Sequence, residues 1–134
     1  MSSNTPKTLV RIDDFPLPPP KTARAIIISG IAMLLSARSS LLEPGSLFYD
    51  NILASQPAQA TRIARWAQQA VFWFLFGAHS LETVGFAFAR LRRHGVPIFS
   101  LLGFKWLAAV FVGGKFAWAH FDEVVARKAI GGGR

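Results

Sequence analysis

A chain of 134 residues is enough for one domain, and at 51% hydrophobic content it is more apolar than an ordinary soluble domain. Its 15 Lys and Arg outnumber 7 Asp and Glu, but the cations flank apolar segments and form no single stripe. That placement points to lipid headgroups and away from nucleic acid. With no cysteine, disulfides, thiolate metal sites and zinc fingers are excluded.

Residues 1–20 read as a disordered tail, with Asp13 and Asp14 followed by the proline-rich Phe15-Pro16-Leu17-Pro18-Pro19-Pro20. The two aspartates precede the first apolar core, which argues against a cleaved secretory signal and a mitochondrial presequence. Met1-Ser2 lacks the glycine that myristoylation requires. A transmembrane helical domain is expected over 21–126 and a flexible C-terminus over 127–134.

The first span is predicted near 23–42. Its apolar core from Ala25 to Ala37 is about 20 Å long as a helix, so Arg38 must snorkel for it to cross. Glu43-Pro44-Gly45 stops it. Leu47, Phe48, Tyr49, Ile52 and Leu53 then read as an interfacial loop or short helix.

The second span is predicted near 67–90, with Arg62, Arg65 and Trp66 at headgroup level. Its run Val71-Phe72-Trp73-Phe74-Leu75-Phe76 puts large apolar side chains around the whole circumference of a helix. A soluble bundle this small has no second layer to cover those faces, whereas lipid covers all of them. Arg92-Arg93-His94-Gly95-Val96-Pro97 reads as a tight basic turn, with Pro97 in the first turn of a third span near 97–120. The expected fold is all-α: a small multi-span membrane protein with three transmembrane helices, the last two forming a tight antiparallel hairpin.

Three crossings put the N-terminal tail and the basic turn on one side and Arg38, Arg62, Arg65, Arg127, Lys128 and Arg134 on the other. The two sides then carry nearly equal positive charge, so orientation is barely biased toward a cytosolic N-terminus.

Three polar residues are anomalous inside apolar helices. His79 and Glu82 share a helix face three residues apart, and Lys105 lies deep in the third span. Together they form a candidate polar site: a proton-transfer or headgroup site on one reading, a packing contact between helices on the other, which is preferred. Antiparallel helices turning between Arg93 and His94 bring Glu82 and Lys105 level, which predicts that they pair. Arg62, Arg65, Arg90, Arg92, Arg93 and Lys115 are candidate lipid-headgroup contacts, Lys115 by snorkelling. No metal or cofactor is expected, because the three histidines lie at different depths and Glu82 is the one carboxylate deep in a span. Gly85 with Ala89, and Ala109 with Gly113 and Ala117, mark candidate close helix contacts.

The segment from Phe72 to about Val125 resembles the transmembrane protein 254 family of small eukaryotic membrane proteins. The likeness lies in the aromatic-rich run, His79 and Glu82 as His-x-x-Glu, the basic turn closed by Gly95, and an apolar helix with aromatics and glycines. It implies a multi-span membrane protein without an assigned biochemical role, and no catalytic residue carries over.

The function expected is that of a non-catalytic accessory or scaffold protein, its partners being membrane lipids and other membrane proteins. The endoplasmic reticulum is the expected compartment and a mitochondrial membrane the alternative. The competing function is a lipid or sterol binder or enzyme using His79 and Glu82. An ion conductor ranks last, since three helices enclose no pore.

Overall fold

The computed structural model describes residues 9–132, and every element in it is helical. Two helices are long and apolar enough to cross a membrane. The first, α1, runs Pro20–Ala37, with its proline in the opening turn where a missing N–H costs nothing. It stops at Arg38, short of the predicted end at 42, and one 3-10 turn over Ser39–Leu42 follows. The side-chain nitrogen of Gln68 donates to Leu35 O at 2.9 Å and Arg38 O at 2.8 Å, so the second helix adds a donor to carbonyls at the end of α1 whose own backbone bonds are long.

That second helix, α2, runs Ala58–Phe86 and continues through a π turn over Ala87–Leu91. The connection to α3 is longer than the predicted tight turn. Pro97 is not helical, and the new helix starts only after Ser100, whose hydroxyl accepts the Gly103 N–H at 3.0 Å. From there α3, Leu101–Gly113, returns antiparallel along α2, bringing Phe111 against Phe76 at a centroid distance of 5.9 Å.

The expected third span over 97–120 does not form. Gly114 has φ +53° and ψ −132°, which breaks the helix, and α4 starts at Lys115 and runs to Gly131. That backbone geometry is open to glycine and costly for any residue with a Cβ. The chain reverses at this point, so Trp106 of α3 meets Phe121 of α4 at 4.8 Å and His120 at 5.6 Å. As a helix of 13 residues, α3 is about 20 Å long, too short to cross a hydrocarbon core. The two ends of the chain are corrected as well. Residues 127–131 belong to α4 and are not loose.

Residues 9–19, expected to be unpacked, lie across the helices as an extended strap; residues 1–8 lie outside the described part. Ile12 is 1% exposed in the core and Phe15 packs edge-on against Trp106 at 4.6 Å. Backbone groups fix the strap. Ile12 N–H donates to His94 O at 3.1 Å, and Trp106 Nε1–H donates to Asp14 O at 3.2 Å. The core therefore sits at one end of the molecule, where the strap, the last turns of α2, α3 and α4 meet around Phe86, Leu91, Trp106 and Phe121. Full burial of each such side chain contributes about 1.5–3 kcal/mol. At the other end, α1 and the first half of α2 extend beyond this core, with Trp66, Trp73 and Phe74 exposed.

Candidate functional site

The break at Gly114 creates the polar centre of the molecule. In an unbroken helix Phe111 O would accept from the N–H of Lys115, and the first amides of α4 would bond to carbonyls of α3. The reversal leaves these groups exposed at one point, and α2 presents His79 and Glu82 to it. His79 is 9% exposed, and its Nδ1 lies 2.7 Å from Phe111 O. A carbonyl accepts only, so Nδ1 carries the proton and donates. Met33 Sδ of α1 lies 3.1 Å from the same nitrogen, which joins three helices at one imidazole.

One turn further along α2, Glu82 Oε2 is buried without a hydrogen-bond partner among the described residues. It faces the start of α4, where the helix dipole is positive. A Cβ placed on Gly114 would lie 2.7 Å from this oxygen and 3.0 Å from His79 Nε2, so both side chains close on the same backbone point. The sequence-predicted pairing of His79 with Glu82 as one feature thus has a geometric basis: histidine serves the end of α3 and glutamate faces the beginning of α4.

Lys105 is not part of this centre. It is exposed on α3, and the ion pairs among the described residues are Arg90 with Asp122 and Lys128 with Asp13 and Asp14. The predicted Glu82–Lys105 pair does not form, because Lys105 is on the exposed face of α3 whereas Glu82 Oε2 is buried against the start of α4. Arg90, expected at a headgroup, is engaged inside the fold: Nε donates to Asp122 Oδ1 at 2.8 Å and the guanidinium lies 5.3 Å from the Trp118 ring centre. Arg92 and Arg93 are exposed beside the 92–100 connection, Arg62 and Arg65 are exposed on the first half of α2, and Lys115 is exposed at the break. Sequence spacing marked Gly113 as a close contact and missed the reversal beside it. What Gly113 admits is Ile26 of α1, whose Cγ1 would lie 2.7 Å from an added Cβ.

The other two histidines also hold carbonyls. His94 Nδ1 donates to Val10 O at 2.8 Å and His120 Nε2 to Pro16 O at 2.8 Å, so both tie down the strap. Lys128 completes the clasp by pairing with Asp13 and, at 2.8 Å, with Asp14. The hydrogen bond from Lys128, and then its charge, hold the Asp13 carboxyl below its ordinary 3.8, while the hydrogen bonds to Asp13 and then Asp14 raise Lys128 above 10.5. Beside this clasp lies an open groove of about 810 Å³ lined by Leu9, Arg11, Val124 and Arg127.

A second cleft, of about 450 Å³, opens at the far end of the molecule between the end of α1 and the first half of α2. Its walls carry Ser39, Glu43, Arg65, Gln69, Phe72 and Trp73. Neither Glu43 nor Arg65 belongs to an ion pair among the described residues. No known family, curated protein or solved structure matches this chain.

Proposed function

We propose that this protein is an integral membrane protein with no chemistry of its own, an accessory or scaffold that offers helix surfaces to lipids and to other membrane proteins. The observation that carries this reading is the uncovered apolar surface of α1 and α2. Ile27, Ile28 and Leu34 project from α1, and Trp73 and Phe74 from α2 at 71% and 73% exposure, with no part of the fold over them. Contiguous apolar surface of this kind needs lipid or a partner. A catalytic or lipid-headgroup role at His79 and Glu82 is less well supported, because His79 is committed to Phe111 O.

In this reading α1 and α2 cross the bilayer, and α3 and α4 form a re-entrant hairpin that enters from one face and returns to it. The strap, the 92–100 connection and the end of α4 then share a face. Arg11, Lys21, Arg24, Arg92, Arg93, Arg127 and Lys128 gather there, against Arg38, Arg62 and Arg65 opposite. The positive-inside rule, nearly balanced for three crossings, now clearly favours a cytoplasmic strap and C-terminal helix. The resemblance to the transmembrane protein 254 family stays part of this proposal, with the endoplasmic reticulum as the proposed compartment and a mitochondrial membrane as the alternative.

Crosslinking followed by purification in mild detergent tests the accessory role. A stoichiometric membrane-protein partner is expected, and a free monomer under every detergent and crosslinker condition would count against it.

A further inference from the structure

The cleft between α1 and α2 is graded along its length. Arg65, Gln69, Phe72 and Trp73 recur on α2 at helical spacing, so they line one face, and eight residues place Trp73 about 12 Å beyond Arg65 along the axis. Glu43, just after the turn that ends α1, and Ser39 within that turn form the opposing polar wall. The cleft therefore runs from an acid and a base at its outer end to two aromatic rings at its inner end. Its shape is held by Gln68, whose amide is tied to Leu35 O and Arg38 O.

Two opposite charges line one cleft of about 450 Å³ and do not pair with each other. A lone anion drawn to Arg65 meets the repulsion of Glu43, and a lone cation drawn to Glu43 meets that of Arg65. A dipolar group satisfies both, and one with an apolar tail also covers the rings. We propose that this cleft binds one zwitterionic glycerophospholipid, its phosphate on Arg65, its ammonium toward Glu43 and its upper acyl chains along Phe72 and Trp73. Gln69 and Ser39 offer hydrogen bonds to the glycerol ester oxygens between them. The site rests on the membrane reading above, which places Arg65 at headgroup level.

The test uses the full-length chain in detergent, equilibrated with equal amounts of phosphatidylcholine and phosphatidylglycerol and examined by native mass spectrometry. One phosphatidylcholine is expected to stay bound in preference to phosphatidylglycerol. Glu43→Gln should shift that preference by roughly tenfold toward phosphatidylglycerol, the factor that corresponds to losing one partly screened charge–charge contact with the choline ammonium. Arg65→Gln should weaken both lipids, and Gln59→Ala, on an exposed residue of α2 outside the cleft, should change neither. Helical circular dichroism of each variant verifies that it is folded. Preference for phosphatidylglycerol in the wild type, or indifference of the preference to Glu43→Gln, overturns the proposal. Carbonate extraction of the same membranes separates the two ideas: a chain that resists extraction but retains no lipid defeats only the lipid site, whereas a chain released into the soluble fraction defeats the membrane reading itself.

Discussion

Gly114 is the residue on which the arrangement of the last two helices depends. Its positive φ and its contact with Glu82 and His79 both exclude a side chain. Gly114→Ala should therefore destabilise the protein by about 1–3 kcal/mol, from backbone strain together with the clash. Adding Glu82→Ala removes the closest clash and leaves the strain and the tight contact with His79, so the double variant should recover part of the loss. Thermal unfolding in detergent reads both, and a Gly114→Ala protein with unaltered midpoint would contradict the account. Trp106 is the corresponding packing residue. It is fully buried between Phe15, His120 and Phe121, and Trp106→Ala should cost about 3–5 kcal/mol, visible in the same measurement as a lower midpoint.

The strap over 9–19 is held by the apolar side chains of Ile12 and Phe15, by carbonyl contacts to His94, Trp106 and His120, and by the Lys128 clasp. The clasp makes its attachment depend on pH, and the sign follows from the direction of each shift. Asp13 is held below 3.8, so its contribution is present above that value and lost as pH falls through the lowered one. Lys128 is held above 10.5, so its contribution is present below that value and lost as pH rises through the raised one. The protection factor of the Ile12 amide, its exchange rate corrected for the intrinsic pH dependence of exchange, should be highest between these limits and lower in strong acid. Protection that stays flat across the acid limit in wild type, or an equal acid response in Lys128→Met, would rule the clasp out. Ile12→Ala should release the strap at every pH, at a cost of about 2–5 kcal/mol.

At the scale of the molecule, the reversal at Gly114 decides between two topologies. Three crossings put Ala129 and Ala54 on the same side of the membrane, whereas two crossings and a re-entrant hairpin put them on opposite sides. The chain has no cysteine, so single-cysteine variants at these exposed positions report without background. In sealed microsomes a membrane-impermeant maleimide is expected to label Ala129→Cys from one side and Ala54→Cys from the other. Labelling of Ala129→Cys together with Ala54→Cys would restore the three-span arrangement.

The helical class, the existence and approximate position of α1 and α2, and the basic connection after α2 were legible in the sequence, because they follow from local apolar run length and from glycine and proline placement. The kinship of His79 and Glu82 was legible too, as two polar residues on one face of an apolar helix. Their contacts were not. An apolar run through Gly113 and Gly114 reads as one continuous helix, since local propensity does not distinguish a glycine that packs from a glycine that turns. The strap was equally hidden. Proline-rich sequence with two aspartates has no periodicity of its own, and it is ordered by a lysine, two histidines and a tryptophan from 80 or more positions away, as in the His94–Val10 and Lys128–Asp13 contacts. Tertiary structure alone decided these features, because the energy that fixes them lies in contacts between segments that only the folded chain brings together.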